Sequence, residues 1–86
     1  LNLENEGKTV NVKVGESFKP KFTATDNFTA DEDLLVYYIV KDSNENFVTV
    51  TTSDITITKA GRYTVIVYVV DEAYNSVVKS YYVNVK

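Results

Sequence analysis

The chain has no cysteine, histidine, tryptophan or methionine. Without cysteine no disulfide can form, so packing and hydrogen bonding must hold the fold; export is not excluded by that absence. Without histidine, the commonest general base and the commonest zinc ligand are both missing. A serine nucleophile would lack its usual activating base, and no cysteine is present to replace it. Only three glycines occur, well apart, so there is no glycine-rich phosphate loop. No apolar run approaches the roughly 18 residues that would suggest a transmembrane helix, so membrane insertion is not expected. A concentrated basic patch is also missing. The net charge is −3, with lysines interspersed among aspartates and glutamates, which argues against nucleic acid as a partner. No leader segment is visible and the first residue is Leu1. Residues 1–86 are therefore expected to be a single module cut from a longer protein, whose targeting signals lie elsewhere in that parent.

The residues that are present favour strands. A chain of 86 residues suits one domain and buries only about 60–65% of its unfolded surface, so its stability margin is thin. Hydrophobic residues make up 44%, drawn mainly from Val, Ile, Tyr and Phe, and together with Thr these suit a pleated, half-buried surface. No stretch carries apolar residues at helical spacing, whereas alternation with a period of two recurs. Val10, Val12 and Val14 alternate with polar neighbours until Gly15. Phe18, Phe22 and Ala24 share one parity, with Pro20 among them marking an edge or a bulge because it donates no hydrogen bond. Strands are also expected at Leu34 to Lys41, Phe47 to Thr51, Ile55 to Thr58, Arg62 to Val70 and Ser76 to Val85. Asp42 to Asn46 and Asp71 to Asn75 read as turns by composition. About seven strands, with turn signals every 8–12 residues, give an all-β fold patterned as an antiparallel sandwich.

Several motifs carry a family resemblance. Val10 to Phe18 (VNVKVGESF), then Phe22 to Asn27 (FTATDN), resemble the opening of the bacterial immunoglobulin-like domains of group 3. Lys59 to Val65 (KAGRYTV) and Val69 to Asn75 (VVDEAYN) resemble that family's Gly-x-Tyr-x-Val and Asp-x-Ala-Gly-Asn signatures, and Val83 to Val85 its last strand. Two departures fall in loops, where binding specificity is built. Phe28 to Asp33 replaces the family's Asp-Gly-Asp segment, and Tyr74 stands where its Gly precedes Asn. The resemblance implies an immunoglobulin-like sandwich in a secreted or cell-surface bacterial protein. The implied role is that of a non-catalytic structural spacer or accessory module, expected to be a monomer, with neighbouring domains of the same chain as partners. The alternative is an adhesion module that binds a glycan or a surface protein.

Parity assigns the side chains to faces. Tyr63, Val65, Val67 and Val69 should face the core, as should Val36, Tyr38, Val40, Tyr81, Val83 and Val85. Leu35, Tyr37, Ile39, Ile66, Tyr68, Val70, Val78, Tyr82 and Asn84 should then face outward. If these three strands are neighbours, Tyr37, Tyr68 and Tyr82, with Ile39 and Ile66 beside them, form an exposed aromatic face. Its commoner use is packing against an adjoining domain; its sharper use is as a platform for a sugar or a protein. Tyr63, just after Gly61, is placed for a tyrosine corner. Lys79 falls on the inward parity and is expected to reach water from the strand's end or a bulge. A Lys–Asn crosslink would need a lysine, an asparagine and a carboxylate together in an apolar core, and no such trio is visible.

The acidic residues raise one cofactor candidate. Asp26, Asp31, Asp33 and Asp71 lie in two loops that the fold would bring to one end, with Glu4 or Glu6 as further oxygen donors. Calcium takes six to eight oxygen ligands. Capping of turns is the commoner use of such residues, and no EF-hand spacing is present. No other cofactor and no catalytic residue is indicated.

Overall fold

A computed structural model describes residues 2–23, 35–70 and 76–86. Among these residues all regular structure is β, in nine strands. They are β1 (Asn2–Leu3), β2 (Thr9–Val12), β3 (Ser17–Phe18), β4 (Phe22–Thr23), β5 (Leu35–Lys41), β6 (Phe47–Thr51), β7 (Ile55–Thr56), β8 (Gly61–Val70) and β9 (Ser76–Val85). A five-stranded sheet has the order β2-β9-β8-β5-β6, and two two-stranded sheets pair β1 with β4 and β3 with β7. Every pairing is antiparallel except β2 with β9.

The difference from seven expected strands has a local cause. Pro20 offers no backbone donor, and it divides the run from Phe18 to Phe22 into β3 and β4, which pair with different partners. The second addition is β1, in the N-terminal lead, where two residues show too little alternation to register as a strand.

The main sheet follows its parity. Along β8, Tyr63, Val65, Val67 and Val69 are buried, and the intervening side chains are only half-buried. Tyr38 and Val40 from β5, and Tyr81, Val83 and Val85 from β9, join them on the same face. Leu3, Val12, Ile55 and Ile57 belong to the same apolar cluster, with Phe18, Phe22 and Val36 packed against it. The short strands β1 and β7 thus contribute Leu3 and Ile55 to this cluster, and Phe18 of β3 and Phe22 of β4 pack against it. Phe22 meets Tyr38 edge-on, with ring centroids 6.3 Å apart.

Two hydrogen bonds tie loops to this frame. The Tyr63 hydroxyl donates to the Lys59 carbonyl at 2.8 Å, closing the corner at the start of β8. Replacing Tyr63 by phenylalanine keeps the ring and removes that bond. It is expected to cost about 1 kcal/mol, read as a lower urea midpoint at unchanged slope. The Gly15 amide donates to the Ile57 carbonyl at 2.8 Å, joining the β2–β3 turn to the segment after β7. Gly15 has φ of 79°, and a Cβ there would meet nothing within 4 Å. Gly15→Ala therefore isolates the backbone term. It should destabilise by about 1–2 kcal/mol with no contribution from contacts elsewhere in the fold, measurable by the same melts.

The polar segment between β5 and β6 is the expected turn. The Asp42 carboxylate accepts from the backbone amides of Asn44 and Asn46 at 2.9 and 3.0 Å, and Glu45 has a positive φ of 63°. These amide donors, Asn46 first, hold the Asp42 carboxyl below its ordinary pKa, and Lys59 nearby adds to the effect.

Candidate functional site

The outward face of the five-stranded sheet is built from alternate residues of β5, β8 and β9. Tyr37 pairs with Tyr68 across the β5–β8 ladder, and Tyr68 pairs with Val78 of β9. The next row is Ile39, Ile66 and Ser80, followed by Lys41, Thr64 and Tyr82. On these three strands the outward positions carry Lys41, Arg62 and no carboxylate, although the chain holds 12 acidic residues.

The three tyrosines do not form one continuous row. The Tyr37 and Tyr68 rings are stacked, 5.1 Å between centroids and 3° from parallel, so each covers one face of the other. Tyr82 stands four residues along β9 from Val78, the partner of Tyr68. That is about 13 Å at roughly 3.3 Å per residue. The Arg62 guanidinium lies over its ring at 4.8 Å. Parity had placed all three on one face but says nothing of how far along the strands they sit, which the ladder register sets. The same register places Ile39 and Ile66 side by side, between the stacked pair and Tyr82.

Further features became visible only in the fold. Lys41 extends over the Phe47 ring at 5.1 Å from its centroid, opposite a register shift between Val40 and Lys41. Alternation cannot count through such a bulge, so the exposure of β6 was not readable: Phe47 is 70% exposed, Val50 59% and Val48 44%. An open groove of about 540 Å³ lies between the β5–β6 turn and the segment leading into β8, with Asp42, Lys59 and Arg62 among its lining residues.

Lys79 is on the inward parity, opposite Val67, and its ammonium meets Glu6 at 3.0 Å while remaining partly exposed. The Gly7 amide donates to the Ser80 carbonyl at 3.0 Å, bringing the β1–β2 turn alongside β9. A pair this exposed contributes at most about 1 kcal/mol. Glu6 is thus engaged with a cation. The calcium candidates Asp26, Asp31, Asp33 and Asp71 lie outside the described residues. Among the described residues no cluster of three acidic side chains is arranged to hold a metal.

No family model, curated protein or solved structure matches the chain.

Proposed function

We propose that the chain is an immunoglobulin-like β-sandwich serving as a non-catalytic spacer or accessory module of a multidomain, secreted or cell-surface bacterial protein. The strand order supports the fold reading: β9, β8 and β5 lie side by side as do the G, F and C strands of immunoglobulin sheets, and the short strands contribute to a shared core. The spacer reading rests mainly on the path of the chain. The molecule measures 41 × 20 × 20 Å. Leu3 pairs with Phe22, whose ring meets Tyr38 in the ladder row of Val67 and Lys79. Lys86, in contrast, follows Val85 at the far end of β9, where its amide donates to the Val12 carbonyl. These levels are separated by six residues of β9, about 20 Å. The chain therefore enters well away from where it leaves, and copies in series would extend rather than fold back. In a two-module concatemer with a short linker, small-angle scattering should give a maximum dimension near twice the 41 Å length. A side-by-side shape would overturn the reading.

The outward face favours protein over glycan as its covering partner. The stacked Tyr37–Tyr68 rings and the Arg62-capped Tyr82 ring each have a face already occupied. A flat, interrupted strip also removes little of a sugar from water, whereas a neighbouring domain tolerates an uneven surface of mixed polarity. Titration with oligosaccharides is accordingly expected to give no affinity better than about millimolar. Micromolar binding that Tyr68→Ala abolishes without unfolding the domain would make this a carbohydrate-binding module.

A further inference from the structure

β2, close to the start of the chain, and β9, at its end, are neighbours that run the same way. They pair over four positions, from Thr9 with Tyr82 to Val12 with Val85, and theirs is the one parallel pairing among the described strands. Backbone bonds carry the contact past both ends of β2. On one side the Gly7 amide donates to the Ser80 carbonyl at 3.0 Å and the Tyr82 amide to the Lys8 carbonyl at 2.8 Å. On the other, the Lys86 amide donates to the Val12 carbonyl at 3.0 Å and the Val14 amide to the Lys86 carbonyl at 3.1 Å. Val12, the ladder partner of Val85, is buried with it in the core.

These directions fix how the domain meets tension. A pull from the N-terminal side draws β2 back along its own axis, and a pull from the C-terminal side draws β9 onward past Val85. In a parallel pair those two motions oppose each other along the strands. All the bonds of the pairing are then strained together. An antiparallel pair pulled from one end opens one bond at a time. β1 does not relieve the load. It is held by two ladder positions and by the Glu4 amide on the Lys21 carbonyl, and once it yields the tension falls on β2. Sliding β2 would also draw Val12 out of the core, and a single-residue slip would turn its side chains to the wrong face.

We infer that the β2–β9 pairing is a shear clamp, which makes the module a load-bearing element between whatever its two ends are joined to. That use rests on the spacer reading; the mechanics rest on the strand directions alone.

Force spectroscopy on single chains reads the barrier that such a clamp sets. Held through its termini, the chain should rupture in one main event that lengthens it by about 240–260 Å, the extended span from Thr9 to Val85 less its folded separation. The chain has no cysteine, so an introduced pair defines any other attachment without ambiguity. Ala60→Cys/Lys86→Cys places both handles at exposed sites beside the Gly61–Val85 end of the antiparallel β8–β9 ladder. Pulled there, the domain should open at a clearly lower force, because those bonds part singly. Val14→Pro removes the Val14–Lys86 bond at an exposed position. Under a fixed end-to-end load it should unfold about fivefold faster, the equivalent of one hydrogen bond of about 1 kcal/mol. Tyr63→Phe, which costs as much at equilibrium, should leave that rate unchanged, since its corner is still closed when the clamp gives way. Equal rupture forces in the two geometries would overturn the inference, and this comparison needs no substitution within the pairing. So would end-to-end rupture in a series of smaller steps, or a folded Val14→Pro domain that bears load as long as the parent. The spacer reading would survive any of these results, because concatemer scattering applies no load.

Discussion

Replacing Tyr38 by alanine is expected to cost about 3–5 kcal/mol, as for other large aromatic truncations in cores. For 86 residues, the whole stability at about 0.05–0.15 kcal/mol per residue is only roughly 4–13 kcal/mol. The substitution should therefore remove a large share of that stability, and toward the low end of the range it would leave a substantial unfolded fraction without denaturant. Tyr38 is 2% exposed and sits where the two sides of the core meet, with the Phe22 ring edge-on against it and Val67 opposite in the ladder. Deleting the ring removes the contact between Phe22 of β4 and the large sheet and leaves a cavity beside Val67. The discriminating control is Tyr38→Phe. The described residues provide no hydrogen bond to its hydroxyl, and both burial and the charge of Asp54 oppose its ionisation. The phenylalanine variant should stay within about 1 kcal/mol of the parent. Near-ultraviolet circular dichroism and urea melts of the two variants separate the contributions. A Tyr38→Ala protein melting with the parent would show that the cluster is not the cooperative core.

The second large effect is alkaline. The Tyr81 hydroxyl is pushed up to about 12, first by burial and then by Tyr38 beside it, and Tyr38 is itself raised. In the unfolded chain a tyrosine titrates near 10. Below that pH both states are protonated and stability is complete. Above it the unfolded state loses protons that the folded state retains, so stability falls as pH rises toward about 12. Tyr81 alone contributes a slope approaching about 1.4 kcal/mol per pH unit, roughly 2–3 kcal/mol in all. Urea midpoints measured from about pH 9 to about pH 12 should fall steeply, and Tyr81→Phe should flatten that limb while changing little near neutrality. An alkaline limb identical in the variant would assign the loss to other groups.

These two tyrosines and the stacked pair Tyr37–Tyr68 mark how far the sequence could be read. Alternation separated Tyr38 from Tyr37 and Tyr81 from Tyr82 correctly, because side chains on a strand change face at every residue. On β5 the charged Lys41 identifies the outer parity, whereas on β9 the charged Lys79 lies on the inner one. The corner made by Tyr63 after Gly61 was legible from local spacing. The adjacency of β5, β8 and β9 was what the immunoglobulin-like resemblance implied, and the sheet order agrees with it. Whether Tyr82 joins the other tyrosines depends instead on the offset between strands, which no local pattern contains.

The amino-acid order by itself determined the all-β character, the positions of the long strands, the inward set along them and the Asp42–Asn46 turn. Period two, turn residues and the absence of helical spacing are properties of the chain read a few residues at a time. The tertiary structure decided the rest. Pro20 was visible as an interruption, yet only the pairing of β3 with β7 and of β4 with β1 turned it into a change of partner. Lys79 was visible as a charge on the inward parity, yet its carboxylate partner is Glu6, 73 residues earlier and brought near by the Gly7–Ser80 hydrogen bond. The exposure of β6 was hidden by one bulge. In each case the deciding quantity is a register between segments distant in sequence, set by how the whole core closes and not by any residue's own preference.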